Sequence, residues 1–172
     1  MLLALQETWT RADHQTHRHY AFEVPPGCTL LSIRVQYAPK YLDAADSRRL
    51  VEDAVGVQSA ALQARLGPLT DAWRTFYLQA LPSDLRLANM LTMSLDDARG
   101  VYRGAGHRQA PDQHWTLRDG QSSAGLMPGP LPPGTWRLTL TAHTLVSSAV
   151  EVAIQIGAEI ASSEPSCLRR SA

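Results

Sequence analysis

Two hydrophobic periods divide this chain. From Tyr20 the apolar positions recur every second residue: Tyr20, Phe22 and Val24 share a face, with Ala21 and Glu23 opposite. Pro25-Pro26-Gly27 closes that run with type II turn chemistry, Pro26 presetting φ and Gly27 free to take a positive φ. Residues 29–37 then place Leu31, Ile33, Val35 and Tyr37 on one face and stop at Ala38-Pro39. In residues 89–96, Leu91, Met93 and Leu95 alternate with Met90, Thr92, Ser94 and Asp96. The Pro- and Gly-rich start of residues 125–143 delivers Trp136, Leu138 and Leu140 to one side and Arg137, Thr139 and Thr141 to the other. Val150, Val152, Ile154 and Ile156 repeat the pattern against Glu151, Ala153 and Gln155. Each run predicts a half-buried strand. Weaker alternation predicts an edge strand over 7–12, with Trp9 facing away from Thr8, Thr10 and Ala12, and short strands at 101–103 and 115–117.

Between residues 41 and 81 the period changes. Leu50, Ala54, Val57 and Ala61, with Leu62 and Leu66 beside them, fall at three- and four-residue spacings. Asp46 or Ser47 is placed to cap this helix and Gly67-Pro68 to end it. A second helix has Thr70-Asp71 at its start, Trp73, Phe76, Tyr77 and Ala80 on one side, and Leu81-Pro82 at its end. Its aromatic stripe is expected to pack as core against the sheet. Asp96-Asp97-Ala98-Arg99-Gly100, Arg103-Gly104-Ala105-Gly106 and Asp119-Gly120 read as turns. About seven or eight strands with Gly/Pro turns indicate a mainly β fold, an antiparallel, jelly-roll-like β-sandwich. The helical pair, at about 46–81, is an insertion into one sandwich domain spanning 1–160, and 161–172 is a polar tail expected to fray. Val24-Pro25-Pro26-Gly27 and Leu131-Pro132-Pro133-Gly134 share one layout, which turn chemistry alone explains.

Composition narrows the function classes. At 172 residues, 44% hydrophobic and 19% charged, the chain is long and apolar enough to bury a core. Sixteen basic residues balance sixteen acidic ones, which gives no general attraction to nucleic acid or anionic membrane. Cys28 and Cys167 are expected to be free thiols, Cys28 acting as a small hydrophobe. The opening MLLALQ lacks a basic start and meets Glu7 at once, so it reads as neither signal peptide nor membrane span, and the chain is expected to be cytoplasmic.

Candidate chemistry is sparse. His14, His17 and His19 form H-x-x-H-x-H, and on a strand His17 and His19 share a face, so with a third ligand they would hold one zinc ion. A solvent-facing polar run is the preferred reading, which leaves them weak metal candidates. His107, His114 and His143 stand alone. Asp96-Asp97 is a weak calcium candidate in a turn where aspartate is favoured anyway, and Glu52-Asp53 lies on a helix's polar side. Arg103–Gly106 lacks the lysine and context of a phosphate loop, and no G-x-S-x-G occurs. If the sheet carried a carbohydrate or peptide, Tyr102 and Trp115, or Trp136, would have to be exposed and coplanar; the alternation of Trp136 predicts burial.

YAFEVPPG with LLSIRVQYAP, NMLTMSLDDARG with Arg103-Gly104, and AGLMPGPLPPGTWRLTL together resemble the N-terminal β-sandwich domain that precedes the catalytic domain in CehA/McbA-like metallohydrolases of the PHP (polymerase and histidinol phosphatase) superfamily. The likeness runs over roughly residues 20–140, with the helical pair inside it, and PGPLPPGTW is its most specific part. That family binds metal through H-x-H-T and S-D-G motifs beyond the sandwich. Nothing after Ile156 has that content, and His17-Arg18-His19 precedes the sandwich, so no catalytic residue carries over. The resemblance therefore implies a non-catalytic accessory or interaction domain without cofactor, serving a hydrolase on a separate chain or domain. The rival expectations are a carbohydrate- or peptide-binding module and a small metal-dependent hydrolase built on His14, His17 and His19. Oligomeric state is not legible.

Overall fold

A computed structural model describes residues 1–106 and 110–161. His107, Cys167 and the tail beyond Ala161 lie outside the described residues. Eight strands form two four-stranded antiparallel sheets: β1 Leu3–Thr10, β2 His17–Val24, β3 Cys28–Ala38, β4 Met90–Asp96, β5 Tyr102–Gly106, β6 Asp112–Leu117, β7 Gly134–Thr144 and β8 Ala149–Ile160. One sheet has the order β1-β8-β3-β6 and the other β2-β7-β4-β5. Strands that follow one another mostly switch sheets, which is jelly-roll wiring, so the sandwich expected from the turn spacing is the one formed.

The alternation sets the core. Leu31, Ile33, Val35, Leu91, Met93, Leu95, Trp136, Leu138, Leu140, Val150, Val152, Ile154 and Ile156 are all buried between the sheets. Trp136 is fully enclosed, as its alternation predicted, and its Nε1 donates to the Pro132 carbonyl at 2.8 Å. The first strand starts earlier than expected, at Leu3, and Arg11–Asp13 is a 3-10 turn rather than strand. There Thr10 and Asp13 form a reciprocal capping box that bends the chain away.

The two open sides of the sandwich are finished differently. On one, the segment between β6 and β7 runs along both sheets: Ser122 bridges to Leu117 of β6, and Leu126 to Gly104 of β5. Ser123 donates its N–H to Thr116, Ala105 to Gly125 and Met127 to Arg103. Arg103–Gly106 is thus strand, not the turn its glycines suggested. The glycines admit neighbours instead: a Cβ on Gly104 would lie 2.1 Å from the Gly125 carbonyl oxygen, and one on Gly106 would lie 2.0 Å from the Trp115 ring. On the other side, side chains join β1 to β2, Arg18 and Tyr20 of β2 both reaching Glu7 of β1.

Helices α1 Ala44–Leu66 and α2 Leu69–Gln79 leave the sandwich between β3 and β4. Asp43, not Asp46 or Ser47, caps α1 by accepting the Asp46 N–H at 2.8 Å, and Gly67 ends it with φ 51°. α2 has no side-chain cap bond; Pro68 occupies the position expected of Thr70 or Asp71. The excursion leaves and returns through a paired neck, with Leu42 donating to Leu87, Asn89 to Lys40, and Tyr41 bridged to Ala88. Above it the helices pack on each other and hardly touch the sheets. The aromatic stripe is therefore not sheet core: Phe76 is 73% and Tyr77 44% exposed, and Trp73 stacks on Tyr77 at 5.7 Å. The bridged neck at the base sets the helices off from the sandwich.

Asn89 locks the neck. It is fully buried, donates Nδ2–H to the Pro39 carbonyl (2.8 Å) and Ser147 Oγ (2.7 Å), and accepts the Val146 and Ser147 N–H groups on Oδ1. Asn89→Ala strands these groups without water, and an expected loss of about 2 kcal/mol should appear as a lower urea midpoint at unchanged slope.

Candidate functional site

The histidines do not converge. His14 lies in the β1–β2 connection, where its Nδ1 accepts the Leu145 N–H at 3.1 Å, using a lone pair that a metal would need. His17 and His19 stand exposed on the outer face of β2, as the two-residue spacing predicted, and each Nδ1 lies 2.9 Å from a threonine hydroxyl of β7, Thr141 and Thr139 respectively. His143 pairs with Thr92 at 2.8 Å. Among the described residues no three His, Cys, Asp or Glu side chains gather where one ion would be held.

The aromatic candidates separate as well. Trp115 is fully buried, because β6 pairs with β3 and turns its Trp inward, where the ring lies over Gly106; it cannot serve as a ligand platform. Trp136 is equally enclosed, which leaves Tyr102, 48% exposed on β5, without a coplanar neighbour from that set.

The acidic turn is a structural knot. Asp97 accepts the Arg99 and Val101 N–H groups at 2.9 and 3.0 Å and faces Arg103 at 3.4 Å, both ionic side chains 7% exposed. Arg103 further donates to the carbonyls of Pro130 (2.8 Å), Met127 (3.1 Å) and Gly129 (3.1 Å), and its guanidinium lies 5.3 Å from the Trp136 ring centre. Asp96 is held by Arg137 at 2.8 Å. Both carboxylates of the calcium candidate are thus occupied by arginines. The sequence reading missed Arg103, most of whose partners are backbone carbonyls that leave no side-chain signal.

A second polar cluster joins β1 to β2. Glu7 accepts from Trp9 Nε1, from the Tyr20 hydroxyl and, at 2.9 Å, from Arg18, which also reaches Asp13 at 2.6 Å and lies over the Trp9 ring at 4.5 Å. Burial, then the bond to Glu7, pushes the Tyr20 phenol far above its ordinary range. The Thr10 N–H, then Arg18, holds Asp13 below the usual carboxylate range.

Surface concavities are found on both the sandwich and the helical pair, one of each bearing on binding. One, about 510 Å³, lies on the outer face of the β1-β8-β3-β6 sheet, where Gln6, Ala153, Gln36 and Asp112 fall in one row across the strands. Its carboxylates are engaged: Asp112 takes Arg34 in a bidentate pair, which lowers its pKa, and Glu151 takes the Thr8 hydroxyl. The other, about 410 Å³ and mainly apolar, lies on the helical pair between Leu50, Val51, Ala54, Val55, Trp73 and Tyr77. Leu69, Phe76 and Val57 are exposed on the same two helices, at 68%, 73% and 73%.

Among the described residues no helix is long and apolar enough to cross a membrane. No family model matches the chain, and no curated protein matches it. Among solved structures it is similar to a protein from Sulfurospirillum deleyianum at a TM-score of 0.32 and 10% identity, covering 90% of this chain and 98% of that one, a likeness too slight to carry an argument.

Proposed function

We propose that this chain is a non-catalytic accessory module in which the jelly roll is the scaffold and the helical pair is the contact element. The observation that carries this reading is the exposed apolar surface of α1 and α2, held clear of the sheets by the neck, while the buried polar clusters are used to hold loops. Exposed aromatic groups beside an apolar groove are the usual anchors of protein contacts. The resemblance of the PPG and PGPLPPGTW segments to the PHP-linked sandwich points to a hydrolase of that type as the partner.

Purified chain is expected to leave phosphoesters and amides unhydrolysed with or without added zinc or manganese; enzyme-like turnover would overturn the proposal. Titrated against a PHP-type hydrolase from the same genome, it should bind, and Phe76→Ser and Tyr77→Ser should each weaken binding about tenfold, the scale of a lost interface anchor. Both side chains are solvent-exposed, so melting should shift little. Binding that ignores both substitutions would remove the helices from the proposal. A carbohydrate or peptide ligand remains a second reading only at the polar row Gln6–Gln36–Asp112, which offers amides without an aromatic platform.

A further inference from the structure

A sandwich of two open sheets has four edge strands, and here they are β1, β6, β2 and β5. Unpaired edges accept strands from other chains unless something blunts them. β5 and β6 are covered by the segment that bridges Gly104 to Leu126 and Leu117 to Ser122. β2 bears Arg18, Glu23 and two histidines along its eight residues. β1 differs from all three. Its eight residues pair with β8 in unbroken register, without a bulge, a proline or a lysine. Its one charge, Glu7, is paired with Arg18 and so is not left to repel a second strand.

The outward-facing groups of β1 follow from its last residue. Thr10 gives its N–H to Asp13 at 2.8 Å rather than to β8, so Thr10 and Ala149 form a non-hydrogen-bonded pair. In an antiparallel ladder such pairs alternate with bonded ones. The same-phase N–H groups of Ala4, Gln6 and Thr8 therefore point away from the sheet, and among the described residues none has a backbone partner there.

We propose that β1 pairs antiparallel with β1 of a second copy, joining two β1-β8-β3-β6 sheets into one continuous sheet about a two-fold axis. An antiparallel strand pair is self-complementary, so one edge satisfies its own copy. Charge favours the same occupant: the chain's net charge is zero, and β1 brings no unpaired charge to the contact, so copies approach without repulsion. This contact is independent of the helical pair.

Sedimentation of the purified full chain across rising concentration tests the pairing, with amide hydrogen exchange at Ala4, Gln6 and Thr8 as a direct reading of the edge. The expected result is a monomer–dimer equilibrium in which exchange at these three amides slows as dimer forms. Proline is tolerated on an edge strand where its missing N–H would face solvent, so Gln6→Pro should keep the monomer folded while raising the dissociation constant about tenfold or more. Should Gln6→Pro fail to fold, Ala4→Pro, whose lost N–H likewise faces away from the sheet, supplies the same test. A chain that stays monomeric throughout overturns the proposal. So does a dimer that survives both substitutions, because the contact then lies elsewhere. A monomer that dimerises only after residues 162–172 are removed would assign the edge to the chain's own tail and equally overturn it.

Discussion

Arg103→Met is expected to destabilise the fold by about 3–5 kcal/mol, the cost of leaving one partner of a buried ion pair alone. For a domain of this size that corresponds to a melting point lower by about 10 °C or more. Methionine keeps most of the stem over Trp136 but removes every donor. The Asp97 carboxylate, 7% exposed, then has only the Arg99 and Val101 N–H groups, and the carbonyls of Pro130, Met127 and Gly129 lose their common partner. A double-mutant cycle with Asp97→Asn separates the two losses. Asparagine keeps an acceptor for the turn and removes the charge, so the double variant should regain part of the stability lost in Arg103→Met. The three carbonyls would remain unsatisfied in both. Strictly additive effects would mean that the ion pair contributes nothing of its own.

Gly104→Ala is the second large effect expected, on the order of 4 kcal/mol. Two costs add: an alanine held at φ +112° is strained by roughly 1–3 kcal/mol, and overpacking adds about as much. The new methyl would sit 2.1 Å from the Gly125 carbonyl oxygen and 2.8 Å from the Leu126 Cα, both backbone atoms that no rotamer change moves aside. The segment between β6 and β7 must lift off β5 for it to fit. Gly100→Ala makes the comparison, since its φ is also positive, at 73°, but its methyl meets nothing within 4 Å. It should cost only the strain. Equal losses at the two positions would show that close approach of the segment is not what Gly104 provides.

These two sites also mark where sequence reading stopped. Period-two alternation in β3, β7 and β8 was legible because one face is buried along the whole strand, and the sandwich followed from those strands and their turns. The helices were legible as elements but not in their placement: a 3.6-residue period reports an apolar side, and it says nothing of what that side meets. Phe76 and Tyr77 were assigned to the sheet on that ground, and the neck holds them away from it. Gly104 and Gly106 looked like turn glycines because strands and turns both use glycine, and only three-dimensional approach tells a crowded glycine from a bent one. Trp115, in a strand too short to establish a phase, was a weak ligand-face candidate that required exposure, and it is enclosed. Arg103 and Asn89 were hidden for a different reason. Their partners are mostly backbone carbonyls and N–H groups, which every residue carries and no pattern of side chains records.

The neck between Lys40 and Asn89 has a bearing on how this chain can change over time. The sandwich meets the helical excursion at a neck closed by one antiparallel bridge and two backbone hydrogen bonds, whatever lies beyond it. Closing a longer excursion costs only a logarithmic increment in entropy once its base is paired. The helical pair is therefore free to be lengthened, shortened or exchanged with little penalty to the eight-stranded frame, while Asn89 and the backbone it ties must stay. Lineages that share this frame are expected to differ most in what is mounted above the neck, and least in the residues that tie it shut.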